Sequence, residues 1–253
     1  MLLKDRIALV TGAARGQGAS HARHLAREGA RVVLTDILDD LGKTVAEEIR
    51  ETGADATYLR LDVRETADWE KTVADVVKQY GRIDVLVNNA GVCELSDVES
   101  TTDEEWKYVV DTNAMGVFKG CRAVVPVMKR GGGGAIVNTA SVQAVKGTWG
   151  YVAYQASKSA VLGVTRSVAL TYANDGIRAN AVAPSAVNTD MLAKEMEHFR
   201  QNEWFDFDKW LEEQPISRIA EPEDVSRMVV FLASDLSSYS TGGVFPVDGG
   251  LLA

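Results

Sequence analysis

Short apolar, β-branched runs alternate with longer stretches of helical periodicity through most of this chain, and that alternation admits few folds. Strands are expected at 7–10, 31–35, 57–61, 83–87, 135–139, 178–183 and 244–247. Helices are expected at 19–28, 41–51, 67–80, 103–128, 154–172 and 222–232. Gly29, Gly53, Gly81 and Gly176 each follow a helical stretch, where a left-handed residue is wanted to end it. Thr102 and Glu105 have capping-box spacing at the start of the fourth helix, and Pro126 is expected to end or bend that helix. Strands separated by helices pair in parallel through right-handed crossovers, so an α/β, doubly wound sheet with helices on both faces is expected. With no internal repeat and no linker, residues 1–253 read as a single domain. The four glycines 131–134 form a loop too short to separate domains.

Charge and composition exclude several functions. A net charge of −9 argues against nucleic acid, which needs clustered Lys and Arg, and gives no support for an anionic membrane surface. No apolar run approaches the roughly 20 residues that span a bilayer, and the N-terminus lacks a signal-peptide pattern. A soluble, cytoplasmic protein is expected. Cys93 and Cys121 lack metal or CxxC spacing and read as small buried hydrophobes. His21, His24 and His198 have no acidic or cysteine ligand nearby in sequence, so they read as surface polar residues and no metal site is expected.

The loop 11–18, TGAARGQG, stands where the first strand gives way to the first helix. Gly12, Gly16 and Gly18 permit a tight turn and leave the helix N-terminus open to a pyrophosphate, with Arg15 and Gln17 beside them. The spacing is GxxxGxG rather than the common GxGxxG, so position carries more weight than pattern. Asp36 ends the second strand about 20 residues on, where a carboxylate accepts from adenosine ribose hydroxyls. A carboxylate there repels a 2′-phosphate, so NAD(H) is expected over NADP(H). Arg15 pulls the other way, since it offers that phosphate a cation, but the uncompensated carboxylate is the larger penalty. Ligands of open parallel sheets sit outside the carboxyl ends of the strands. Asp62 and Val63 are therefore expected to face adenine, and Asn89, in Asn88–Asn89–Ala90–Gly91, the adenosine ribose.

The stretch 141–158 joins a hydroxyl, a phenol and an ammonium. Ser141 follows the apolar run 135–140, and Tyr154 and Lys158 stand one helical turn apart on one face. Alone such a trio is weak, because any helix can carry a Tyr and a Lys. Taken with 11–18, 88–91 and Asn113, in this order and spacing, it resembles the short-chain dehydrogenase/reductase family over essentially the whole chain. The resemblance implies a seven-stranded Rossmann-type sheet, a homotetramer and an oxidoreductase acting on alcohols or carbonyls. It makes Tyr154 the general acid/base, with Lys158 favouring the phenolate and binding the nicotinamide ribose. Ser141 would hold the substrate oxygen, Asn113 would anchor a proton-relay water, and Val187 and Thr189 would meet the carboxamide and phosphate region. The chain departs from the family at Ser185, where Gly usually follows the proline, and Ser185 restricts the backbone there.

The resemblance also makes 188–215 a lid over the substrate. That stretch is the least regular of the chain and holds Phe199, Trp204, Phe205, Phe207 and Trp210. These aromatics suit either an apolar, ring-bearing substrate or a neighbouring subunit. Gln143, Trp149 and Tyr151 lie near the reaction centre as further pocket candidates, and the loop 145–150 is similar to that of butanediol and other secondary-alcohol dehydrogenases. The expected reaction interconverts a secondary alcohol and a ketone. The rivals are a steroid or sugar dehydrogenase of the same family and, from a different class, a catalytically silent NAD(H)-binding sensor.

Overall fold

A computed structural model describes residues 1–200 and 205–253. Seven parallel strands form one sheet in the order β3-β2-β1-β4-β5-β6-β7. They are β1 (Ile7–Thr11), β2 (Arg31–Asp36), β3 (Ala56–Arg60), β4 (Val85–Asn88), β5 (Gly134–Thr139), β6 (Ile177–Pro184) and β7 (Val244–Val247). Helices intervene: α1 (Gly16–Arg27), α2 (Asp39–Glu51), α3 (Thr66–Tyr80), α4 (Asp103–Val110), α5 (Gly116–Arg130) and α6 (Val152–Tyr172). After β6 come α7 (Asp190–Arg200), α8 (Phe207–Glu212) and α9 (Pro222–Ala233).

The period-two alternation of strand side chains separates two cores. Ala8 and Val10 of β1 pack with Leu25, Val45 and Val229, under α1, α2 and α9. Ile7 and Leu9 pack on the opposite face with Trp69, Val124 and Val161, under α3, α5 and α6. Strand order reverses between β1 and β4, so the chain leaves these adjacent strands in opposite directions and opens a crevice at their carboxyl ends. No described helix is long and apolar enough to cross a membrane.

The turn glycines behave as their chemistry requires. Gly29, Gly53, Gly81 and Gly176 all take positive φ, the backbone region open to glycine without a Cβ clash. The Thr102–Glu105 capping box forms at the start of α4. Three expectations give way. The helix expected over 103–128 is broken by a π turn at Asp111–Met115, and Pro126 does not end it, since α5 runs on to Arg130. The stretch 188–215, expected to be irregular, is largely helical in its described parts. Leu192, Glu195 and Phe199 recur there at helical spacing, and Leu192 N bonds Thr189 Oγ1 at the start of α7. His21 is fully buried in α1, where Nδ1 meets Ser226 Oγ of α9 at 2.8 Å.

Candidate active site

A cleft of about 850 Å³ lies over the carboxyl ends of the strands. Its nucleotide end is built from backbone. Gly12 and Gly16 turn the loop through positive φ (63° and 54°), and a Cβ at Gly12 would come within 2.8 Å of Ala90 Cα. Asp36 is held rigidly at the end of β2. One carboxylate oxygen accepts from Ala14 N at 3.0 Å, and the other from Ile37 N and Leu38 N at 2.7 and 3.0 Å. Gln17 turns a buried Oε1 that has no partner among the described residues. Asp62 and Val63 line the cleft beyond, with the Asp62 carboxylate gripped by Arg64 (Nη2–Oδ2 2.6 Å), whose guanidinium holds it below the usual carboxylate range.

Two nucleotide candidates brace the loop. Asn89 lines the cleft, and its side-chain amide donates to Thr11 O and Gly12 O, at 3.1 and 3.2 Å, which holds the turn. Gly18 stands behind the loop: a Cβ there would lie 2.0 Å from Gly12 O and 2.6 Å from Asn89 Nδ2. Its value is close packing of α1 on the turn, not access for a ligand. Arg15 is paired with Asp190 of α7 at 2.9 Å, which joins the glycine loop to the far wall.

The reactive end is set by β5, α4–α5 and α6. Tyr154 and Lys158 share a face of α6, and Ser141 follows β5 and lines the same cleft as the Tyr154 phenol. Lys158 Nζ donates to Thr139 O at 2.8 Å and lies 5.6 Å from the centre of the Tyr154 ring. Burial pushes the Lys158 ammonium down to about 8, from an ordinary 10.5. The phenol is driven well above its ordinary range, first by burial and then by Cys93 and Glu195, with Ser141 opposing. In the protein by itself burial sets that direction, with the Lys158 ammonium lying over the Tyr154 ring.

Asn113 lies in the π turn, fully buried. The extra residue in that turn aims its amide at Val92 O (2.8 Å) and Ser157 Oγ (3.0 Å), while Oδ1 accepts from Val92 N at 2.8 Å. Asn113 thus ties the segment after β4 to α6. Ser185 takes an ordinary backbone, since Asp5 is the one non-glycine with positive φ among the described residues. The restriction expected of Ser185 imposes no strain.

The substrate end is aromatic and enclosed by α7 and α8. Trp149, Tyr151, Phe199, Phe205, Phe207 and Trp210 all line the cleft, Trp149 meeting Phe199 and Phe205 edge-on with centroids 6.2 and 5.7 Å apart. Trp204 lies outside the described residues. Gln143 turns a buried Oε1 that has no partner among the described residues. Val187 is buried beside the cleft, and the Thr189 hydroxyl donates to Val187 O while accepting from Leu192 N. Cys93, expected as a plain core residue, lines the cleft instead, and burial keeps its thiol protonated. Glu195 was not visible as a site residue, because its role depends on how α7 folds back over the sheet.

The residues fit a dinucleotide. The open loop, the oriented Asp36 carboxylate and the Gln17 Oε1 and Thr139 Oγ1 atoms, which have no partner among the described residues, supply a cradle and free polar atoms in the cleft. A family model described as enoyl-(acyl carrier protein) reductase matches residues 12–252. A 3-alpha-(or 20-beta)-hydroxysteroid dehydrogenase of Mycobacterium tuberculosis is 44% identical over 251 residues, covering 99% of this chain and 91% of the relative. Cyclopentanol dehydrogenase of Comamonas testosteroni is 38% identical over 251 residues, covering 99% and 98%. The solved structure of a candidate NAD(P)-dependent gluconate 5-dehydrogenase from Beutenbergia cavernae, with NADP bound at low occupancy, matches with TM-score 0.92. It is 35% identical and covers 99% of this chain and 98% of that one.

Proposed function

The chain belongs to the short-chain dehydrogenase/reductase family, and we propose that it interconverts an apolar, ring-bearing secondary alcohol and its ketone using NAD(H). The observation that carries this reading is that Ser141 and Tyr154 line the same cleft as Trp149, Phe199, Phe205 and Trp210. Two hydrogen-bonding hydroxyls suit one substrate oxygen, and flat aromatic walls suit a ring. The hydroxysteroid and cyclopentanol relatives support the same substrate class.

A bound nicotinamide supplies the hydride acceptor or donor. The chain supplies the rest. Ser141 orients the substrate oxygen, and Tyr154 Oη gives that oxygen its proton in reduction or, as phenolate, takes it in oxidation. Lys158, held by Thr139 O, puts its ammonium beside the phenol and would also bind the nicotinamide ribose. Because burial holds the phenol protonated, the acid form needed for reduction is present at neutral pH, whereas oxidation first requires its loss. Oxidation is therefore expected to quicken as pH rises.

NAD(H) preference rests on Asp36, whose carboxylate stands at the end of β2 with its orientation set by three backbone N–H groups. Arg15, the residue that would favour a 2′-phosphate, is engaged by Asp190. The test is a panel of cyclopentanol, a hydroxysteroid and a polyol, read by NADH or NADPH absorbance. The reading expects turnover of a ring alcohol, faster at about pH 9 than about pH 7, with kcat/KM at least about tenfold higher for NAD+ than for NADP+. A clear NADP+ preference removes the role given to Asp36. Tight NADH binding with no turnover of any alcohol removes the enzyme reading in favour of a sensor.

A further inference from the structure

A carboxylate from the substrate end reaches across to the reaction centre. Glu195 stands on α7, half-buried, and its Oε2 accepts from Tyr151 Oη at 3.0 Å. The Cys93 thiol lines the cleft with the same carboxylate. Tyr151 is 3% exposed and immediately precedes α6, the helix that carries Tyr154 and Lys158. Its ring lies 6.1 Å from that of Tyr154 and 6.5 Å from that of Phe199, centre to centre. Its backbone is held as well, since Val152 N bonds Ser96 O at 3.3 Å and Ser96 N bonds Gly150 O at 3.0 Å. One end of the Glu195–Tyr151 bond is thus fixed to the catalytic helix, and the other belongs to the helix that closes the substrate end.

We propose that Glu195 is a positioning residue: by accepting from Tyr151 it latches α7 onto the N-terminus of α6, and so sets the substrate wall that faces Tyr154. Two features make this bond a suitable latch. It is charge-assisted and mostly shielded from water, which strengthens it over an exposed pair. It is also well placed, because it joins α7 to the residue that begins α6, whereas the Arg15–Asp190 pair of the same helix is exposed and of a kind that contributes little. The apolar contacts of Phe199 with Tyr151 and Trp149 hold the wall together but do not specify its register, whereas a directional hydrogen bond does.

The kinetic arm of the test rests on the proposed alcohol–ketone reaction, and a second arm does not. Four variants are compared with the wild type: Glu195→Ala, Glu195→Gln, Tyr151→Phe and the double variant Glu195→Ala/Tyr151→Phe. Loss of either partner is expected to raise KM for the ring alcohol about tenfold with kcat changed less than about threefold, which is the signature of lost positioning. The double variant is expected to be no worse than either single one, because the two side chains act as one unit. Glu195→Gln, which still offers an oxygen to Tyr151, is expected to stay within about threefold of wild type. In the substrate-independent arm, amide hydrogen exchange over 190–200 is expected to speed up in Glu195→Ala and Tyr151→Phe while exchange in β1 and β4 stays unchanged. Multiplicative effects in the double variant, or unchanged exchange across α7, would overturn the latch. Should the wild type turn over no alcohol, the proposed reaction fails, and the exchange data alone still decide the latch.

Discussion

His21 shows how a side chain's chemistry follows from where the fold carries it. On sequence it is one of two histidines spaced three apart with no ligand nearby, and a surface place is the natural expectation. The fold instead turns that face of α1 onto α9, and Ser226, 205 residues away, becomes its partner. That pairing depends on which helices share a face of the sheet, which no local pattern encodes. Burial first, and His24 second, push the imidazole down to about 3 from an ordinary 6.5. The unfolded chain therefore takes up a proton below pH 6.5 while the folded one does not until about 3, so stability is lost as pH falls through that window. From pH about 6.5 to about 5 the loss is expected to be about 2 kcal/mol. Urea midpoints at those two pH values check it, and His21→Asn is expected to flatten the slope. An unchanged slope in that variant would assign the acid sensitivity to other groups. The reactive trio was easier to anticipate, because Tyr154 and Lys158 interact through helix geometry alone. The neighbours Cys93 and Glu195 that push Tyr154 upward arrive from distant segments.

Among the elements, those bounded by local chemistry were anticipated and those shaped by tertiary demands were not. Glycines at helix ends and the Thr102–Glu105 box are local devices, and each formed as expected. The π turn around Asn113 was hidden, since a single inserted residue leaves the apolar periodicity of 103–128 nearly intact. Helix α7 was hidden because only Leu192 and Phe199 of its residues are buried, too few to make a clear apolar period. Gly18 makes a prediction at this scale. It is the point where α1 packs against the loop it follows, and an added Cβ would meet the Gly12 carbonyl at 2.0 Å. That contact involves backbone on both sides and has no flexible group to yield. Gly18→Ala is expected to cost about 1–3 kcal/mol, read as a fall in melting temperature. It is also expected to weaken NADH binding, because the shifted turn carries Gly12, Arg15 and Gln17. A variant as stable as wild type with unaltered NADH affinity would contradict this packing role.

At the scale of the molecule, one topological fact arranges everything else. The reversal of strand order between β1 and β4 opens the crevice, and the residues that follow the strand ends, Gly12, Asp36, Asp62, Asn89, Ser141 and Val187, line it. Alternation of strand and helix was enough to anticipate the sheet and the crevice. It could not anticipate which wall Glu195 and the aromatics of α7 and α8 would build, because their position depends on how the chain folds back after β6. Much of the cleft's lining was legible in the sequence, from Gly12 and Asp36 to Trp149, Tyr151 and the aromatics of 188–215, whereas the place of Glu195 appears only in three dimensions. In the proposed alcohol–ketone reaction Tyr154 moves the proton. The most direct measurement is the NADH-forming kcat of Tyr154→Phe on a ring alcohol the wild type accepts, at saturating NAD+. The account predicts a fall of about 100-fold or more, with NADH affinity within about threefold of wild type. Turnover within about tenfold of wild type would contradict it.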